Sequence, residues 1–364
     1  MSVKPIALYL PQYHPIPEND AWWGTGFTEW TNVRKAVPRF WGHYQPHSAG
    51  ELGYYDLRRP EVMAAQAALA KAYGIYGFCY YHYWFNGKLL LQQPLEQMLA
   101  TGQPNMPFCL CWANENWSRR WDGREQDVLM EQRYALEDDR AHIRYLIPYF
   151  RDERYIKIGG KPVYLMYRPE LHPAINDAVA IWREEAKQAG FEDIYLVNVE
   201  NFTKGVSPDV YGFDAAMDFA PDFTCTGPRY IKKQRIRYWV TRFLHRKNLL
   251  RSGFFEHHVY HYDALVDNMI NKPIANYKQF RSVCPSWDNS ARRKQEATIF
   301  HRSTPDKFKS WVKETTAYTR KYFEGDERLF FVNAWNEWGE GCHLEPDQRF
   351  GSAYLEAFKS GLND

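Results

Sequence analysis

Short apolar runs recur along the chain, separated by segments whose apolar positions repeat every three to four residues. The runs at 6–11 (IALYLP), 75–81 (IYGFCYY), 108–113 (FCLCWA) and 162–167 (PVYLMY) read as strands. So do those at 194–199 (IYLVNV), 214–219 (DAAMDF), 279–284 (QFRSVC) and 328–334 (RLFFVNA). The intervening segments 60–73, 89–100, 137–150, 174–189, 305–323 and 351–360 carry helical periodicity. The first of these opens with Pro60 and stops at Gly74, as helix ends prefer. The runs are almost continuously apolar, which fits strands buried on both faces. Strands alternating with helices predict parallel βαβ units. Eight of them is the number that closes a barrel. The expectation is a single α/β domain over residues 1–364, a (β/α)8 TIM-type barrel with insertions at about 12–59 and 220–273. The alternative, a doubly wound open sheet, lacks the Gly-rich phosphate-binding turn after its first strand.

Such barrels carry their chemistry where strands end, at the C-terminal face. Polar and aromatic residues gather there. Tyr13, His14, Trp23, Glu29 and Trp30 follow the first run, and His82 and Trp84 the second. Trp112, Asn114, Glu115 and Trp117 follow the third, and Asn198 and Glu200 the fifth. Trp287, Asp288, Asn289 and Arg292 follow the seventh, and the stretch WNEWGEGCHLEPD, containing Trp335, follows the eighth. The helical segments hold no comparable clusters. Ordinary barrel-top packing is the competing reading for His14, His82 and Trp84, and a structural ion pair that for Asp288 with Arg292.

Composition sharpens this picture. Aromatic residues make up 17% of the chain, with 14 Trp, 26 Tyr and 22 Phe. Trp and Tyr combine an apolar face with a polar tip and suit sugars, which are built the same way. Net charge is only +2, so no global case exists for nucleic acid. The six cysteines form no CxxC pair, and most sit in strand-like runs as small core residues. There is no apolar run of transmembrane length, and the N-terminal run is too short for a signal peptide. A reduced, cytoplasmic protein is expected.

Within the last cluster, Glu337 and Glu340 lie three residues apart between Trp335, Trp338 and two glycines. Glycoside hydrolysis ordinarily uses two carboxyl groups, one protonated as acid and one anionic as base or nucleophile. On a continuing strand the two would point to opposite faces. On a helical or turn-like backbone their Cβ atoms come within roughly 5–6 Å, and Gly339 and Gly341 permit such a turn. Trp335 and Trp338 would exclude water and raise the pKa of the deeper carboxyl. A solvated acidic turn is the plain alternative, and Glu115 with Glu337 is a rival pair.

Together, YLPQYHPIPENDAWWGTGFTEW, CWANENW, GGKPVYLMYRP, PSWDNSARR and NAWNEWGEGCHLEPD resemble the bacterial relatives of glycoside hydrolase family 99. Proteins of that kind are often encoded with O-antigen and capsule biosynthesis genes. The resemblance runs from residue 5 to about 360. It implies a (β/α)8 barrel that cleaves internal α-mannosidic bonds with retention. It also implies that Glu337 is the base that removes the proton of the sugar's own 2-hydroxyl, giving a 1,2-anhydro sugar. Glu340 would be the acid on the leaving oxygen. Tyr13, His14, His82, Trp84, Trp112, Asn114, Glu115, Trp287, Asp288, Asn289, Arg292 and Trp335 are the expected sugar contacts. An oligo- or polysaccharide is the expected partner, with no cofactor and no metal. A glycosyltransferase of O-antigen or capsule assembly and a non-catalytic glycan-binding barrel are the alternatives.

Two segments stand apart. Residues 229–251 carry nine Lys and Arg and no acid, interleaved with aromatic and aliphatic residues. This suits either a helical lid or a peripheral contact with an anionic membrane or glycan. His257, His258 and His261, with Asp263, are close in sequence but lack a metal site's spacing and strand-end placement.

Overall fold

The computed structural model describes residues 2–119, 124–233, 235–247 and 252–364. Its centre is a parallel barrel whose strands are β1 (Lys4–Tyr9), β2 (Gly77–Phe85), β3 (Phe108–Trp112) and β4 (Lys161–Met166). The ring continues with β5 (Tyr195–Glu200), β6 (Ala215–Asp218), β7 and β8 (Leu329–Val332). Strand β7 is split into Gln279–Phe280, which pairs with β6, and Ser282–Val283, which pairs with β8. The ring of nine parallel segments is thereby nearly closed, as the alternation of strands and helices predicts. Arg281 interrupts β7: its guanidinium turns outward to Asp218 Oδ2 (3.2 Å) and the carbonyls of Lys272 and Pro273.

Helices Pro60–Ala72, Gln93–Thr101, Leu136–Arg151, Ile175–Gln188, Pro305–Tyr322 and Ala353–Asn363 follow the helical periodicity, except that the second starts at Gln93 rather than 89, because Lys88–Leu90 pairs antiparallel with β2. Strand period decides which side chains meet them. Along β2, His82 stacks on His142 of Leu136–Arg151, with ring nitrogens 2.9 Å apart. Trp84 stacks on the same His142 and donates to Asp138. Their odd-numbered neighbours Tyr81 and Tyr83 point the other way, into the barrel mouth.

Each insertion contributes to that mouth, Asn19 and Trp23 from the first and Phe223 from the second. Residues 12–59 contain helices Pro17–Trp23 and Glu29–Lys35. Residues 220–273 contain helices Arg235–Arg246 and Tyr262–Ile270, and a strand His258–His261 paired in parallel with Thr298–His301. A small apolar cluster of Tyr230, Ile231, Phe254, Val259, Ala297 and Ile299 fastens this insertion beside the barrel. Among the described residues no helix is long and apolar enough to cross a membrane.

Candidate active site

The backbone after β8 answers the question of the two glutamates. Asn336–Glu337 pairs antiparallel with Cys342–His343, and a single 3-10 turn, Trp338–Glu340, joins them. Gly341 closes the turn at φ 56°, a left-handed conformation that favours glycine. The Asn336 side chain anchors the entry by accepting from Leu10 N (2.7 Å) and donating to Leu10 O (3.0 Å). Tyr13 adds a second tie, its hydroxyl donating to Asn336 O at 2.5 Å. The turn therefore delivers both carboxylates to one side, as the spacing allows on a turn-like backbone.

What they meet is Arg292. Its Nη2 donates to Glu337 Oε1 (2.5 Å), its Nη1 lies 2.9 Å from Glu340 Oε1, and its Nε donates to Glu29 Oε1 (2.8 Å). Glu29 arrives from the N-terminus of helix Glu29–Lys35, and its side chain is wholly buried. Gly339 makes this meeting sterically feasible. A Cβ there would stand 1.8 Å from Glu29 Oε1 and 2.7 Å from Arg292 Nε.

Three carboxylates around one guanidinium carry an excess of negative charge, and burial disfavours each charge further. Burial, with Glu340 and Glu29 adding to it against the pull of Arg292, pushes the Glu337 carboxyl up to about 8. Burial also raises Glu340, again against Arg292. Below about pH 8 the pair thus retains a proton. A carboxyl pair in which one member keeps its proton is the state that acid–base chemistry needs. If both groups act, kcat/KM is expected to be bell-shaped in pH. It should fall about tenfold per unit above roughly pH 8, where the last proton leaves, and fall again where both are protonated. A profile flat from pH 6 to 10 would contradict this.

The pair faces a cavity of about 440 Å³ in the barrel mouth. Of the expected sugar contacts, Glu115, Trp287, Asn289 and Arg292 line it with Glu337 and Glu340, and so do Trp23 and Trp117 from the strand-end clusters. Glu115, half of the rival pair, is held by Arg168 at 2.6 Å rather than by Arg292. Asp288 faces away: it accepts from Gln45 (2.9 Å) and Ser290 N, and contacts His43 (2.6 Å). Burial alone would raise its carboxyl, but these partners outweigh burial and hold it at about 2. It forms no ion pair with Arg292 among the described contacts.

Tyr13, His14, His82, Trp84, Trp112, Asn114 and Trp335 are buried and do not line this cavity. His82, Trp84 and Trp112 lie on the helix-facing side of their strands, Trp112 against His142 and Trp182. Asn114 bridges two loops, donating to Tyr134 Oη and Arg168 O. Gln12, Tyr81, Tyr83, Tyr167, Asn201 and Phe219 line the cavity and are absent from the sequence-derived set. For Tyr81 and Tyr83 a signal existed, since residues alternating with His82 and Trp84 must face the mouth.

The turn is braced from below by a buried carboxylate. Glu345 accepts from Trp338 Nε1 (2.6 Å), Gln66 Nε2 (2.6 Å) and Tyr55 Oη (2.8 Å). Glu345→Leu would strand three buried donors, each worth about 1–3 kcal/mol when unpaired. The expected loss is about 3 kcal/mol of unfolding free energy in urea melts, with Glu345→Gln losing less. Wild-type stability in the leucine variant would remove this bracing role.

The fold and site define a (β/α)8-barrel protein with a carboxylate-lined aromatic mouth. Within that class, the model described as Glycosyltransferase WbsX matches residues 5–358, and the chain belongs to that family. The chain is 42% identical over 357 residues to an uncharacterized protein, WxcX, in two strains of Xanthomonas campestris pv. campestris. The match covers 98% of this chain and 49% of the relative, so the chain spans about half the length of the curated relatives it matches. Among solved structures, a glycoside hydrolase-like protein shares the fold with a TM-score of 0.61 at 13% identity, over 99% of this chain and 94% of that one. The GH99 endo-alpha-mannosidase from Bacteroides thetaiotaomicron does so with a TM-score of 0.58 at 12% identity, over 99% and 96%.

Proposed function

We propose that the protein is a retaining, endo-acting glycoside hydrolase on α-mannoside-like or related bacterial polysaccharide. The observation that carries this reading is the single guanidinium of Arg292 holding Glu337 and Glu340 together at the cavity, where burial raises both carboxyls. In this reading Glu337 takes the proton of the sugar 2-hydroxyl and O2 attacks C1. The bond from C1 to the leaving oxygen breaks as Glu340 protonates that oxygen. Water then opens the 1,2-anhydro sugar at C1, giving its proton to Glu340 while Glu337 returns a proton to O2. Two inversions at C1 yield net retention. Aromatic faces from Trp23, Tyr81, Tyr83, Trp117, Tyr167 and Trp287 suit the apolar faces of successive sugar rings.

The family description favours a second reading, a glycosyltransferase. A nucleotide-sugar donor needs cations for its diphosphate. Of Arg292 and Arg293, which line this cavity, Arg292 is already engaged by Glu29, Glu337 and Glu340. Reducing-end release from α-manno- and α-rhamno-configured polysaccharides tests the hydrolase. No release across the panel, together with a melting shift on adding a nucleotide sugar, would decide for the transferase.

We further propose that helix Arg235–Arg246 brings the mouth to an anionic surface. Trp239, Val240 and Phe243 on it are 65%, 55% and 61% exposed, within a stretch rich in Lys and Arg. Residues 234 and 248–251 of the basic stretch lie outside the described residues. Phosphatidylglycerol vesicles should co-sediment with the protein at low salt, several-fold less after Trp239→Ser with Phe243→Ser. No sedimentation at low salt would end the idea.

A further inference from the structure

A second cavity, of about 280 Å³, lies behind the loop that carries Asp288 and Arg292. His47, from the insertion after β1, and His343 and Asp347, from the segment after β8, line one part of it. These three offer ligand atoms within 4.8 Å of one another, and all three residues are buried. Nothing in the proposed hydrolysis uses them.

We propose that His47, His343 and Asp347 form a binding site for one divalent transition-metal ion, with zinc the best match. Two imidazoles and a carboxylate are a common donor set for zinc and its first-row neighbours. His47 Nδ1 and His343 Nε2 stand 2.9 Å apart. With metal–nitrogen bonds of about 2.0–2.1 Å, two ligands at right angles sit about 2.9 Å apart, and tetrahedral ones about 3.3 Å.

The surroundings orient the ligands as metal sites require. His343 Nδ1 faces the carbonyl of Glu345 at 2.9 Å. A carbonyl only accepts, so the proton sits on Nδ1 and the lone pair of Nε2 points at His47. A histidine ligand whose other nitrogen donates to a backbone carbonyl is the usual outer-shell arrangement. Asp347 Oδ1 accepts from Arg349 N (2.9 Å) and Phe350 N (2.6 Å), which fixes the carboxylate and leaves its second oxygen outside those bonds. In the same wall the Tyr44 hydroxyl is shielded from solvent and faces the Asp347 carboxylate. It is placed to become a further donor, and the open cavity leaves room for water on the ion. The three histidines at 257, 258 and 261 diverge by contrast. His257 Nδ1 accepts from Ala297 N, His258 Nδ1 contacts Arg229, and the His261 ring packs on Tyr230.

The site sits directly under the candidate chemistry. The His343 ring stacks on Trp338 at 3.6 Å, and Trp338 belongs to the turn that carries Glu340. A bound ion would clip the insertion after β1 to the segment after β8 and hold that turn in place. The competing account is a His47–His343 hydrogen bond with no ion.

The test uses tag-free protein, stripped with chelator and dialysed against Zn²⁺ or Co²⁺. Elemental analysis should find one equivalent bound, the melting temperature should rise with Zn²⁺, and Co²⁺ should give a visible absorption band. His47→Gln and Asp347→Asn should each weaken uptake by about 100-fold or more, with circular dichroism unchanged. A wild type that takes up no stoichiometric cation overturns the site, as do variants that bind as wild type does. Should His47→Gln not fold, X-ray absorption on the Co²⁺-loaded wild type decides. A shell of two imidazole nitrogens plus oxygens supports the site, and any other ligand set overturns it.

Discussion

Glu340→Gln is expected to slow release of reducing ends from the responsive polysaccharide by about 10²–10⁴-fold, the usual worth of a positioned general acid. The loss should depend on the leaving group. A natural sugar alkoxide leaves poorly without a proton, whereas fluoride or a nitrophenolate leaves without help. With such activated substrates the variant should recover most of its rate. Glu337→Gln should behave differently. Its assigned task is to take the proton of the 2-hydroxyl, and no leaving group does that instead. It should stay slow on both substrate types, and a 2-deoxy substrate should be inert even with wild type. Equal recovery of both variants would break the assignment of roles. Full activity in either would break the pairing itself. Glutamine is the right probe because it keeps the shape and a hydrogen-bond acceptor for Arg292 while removing the titratable proton.

Much of the barrel is written in the chain as alternation. The run at 108–113 differs from strand β3 by one residue at one end, and that at 194–199 from β5 by one residue at each end, because apolar faces and turn residues bound them sharply. Strand β7 is harder to read, since Arg281 sits inside it and breaks the apolar run. The site is half legible. Glu337, Glu340 and Arg292 lie at strand ends, and the turn glycines announce a backbone that brings the acids together. That one arginine would gather Glu29 from a helix more than two hundred and fifty residues earlier is a tertiary fact. No local pattern encodes it. The choice between His82 and Tyr81 shows a different limit. Both lie in the same strand, and only the parity of β2, set by where it packs on helix Leu136–Arg151, tells which faces the mouth. Chemical type favours the histidine, yet strand geometry puts it against the helix.

The two histidine–carboxylate assemblies behind the mouth share a theme with the Arg292 cluster. His43 with Asp288, and His47 with His343 and Asp347, each join the insertion after β1 to loops after β7 or β8. The long first insertion is thereby fastened to the loops that carry the reacting groups. Fixing loops in this way matters because acid–base and nucleophilic steps need groups held near their reacting geometry.

Removing the arginine at the centre should cost the most stability. Arg292→Met is expected to destabilise the fold by about 3–5 kcal/mol, the scale for a buried charge left without its partner. Glu29 sets this size. Its side chain has no exposure, its Oε1 is bound by Arg292, and its Oε2 has no hydrogen-bond partner among the described residues. The same variant should lose catalysis, because Glu337 and Glu340 would bind protons still more tightly without a cation between them. A double variant, Arg292→Met with Glu29→Gln, separates the two effects. It removes the stranded charge, so urea melts should recover most of the lost stability. It does not restore a cation to the acid pair, so reducing-end release should stay absent. If the single variant melts like wild type, the Glu29–Arg292 pair contributes nothing to the fold. If the double variant regains activity, Arg292 matters only as a counter-ion to Glu29, and Glu337 and Glu340 work without its guanidinium.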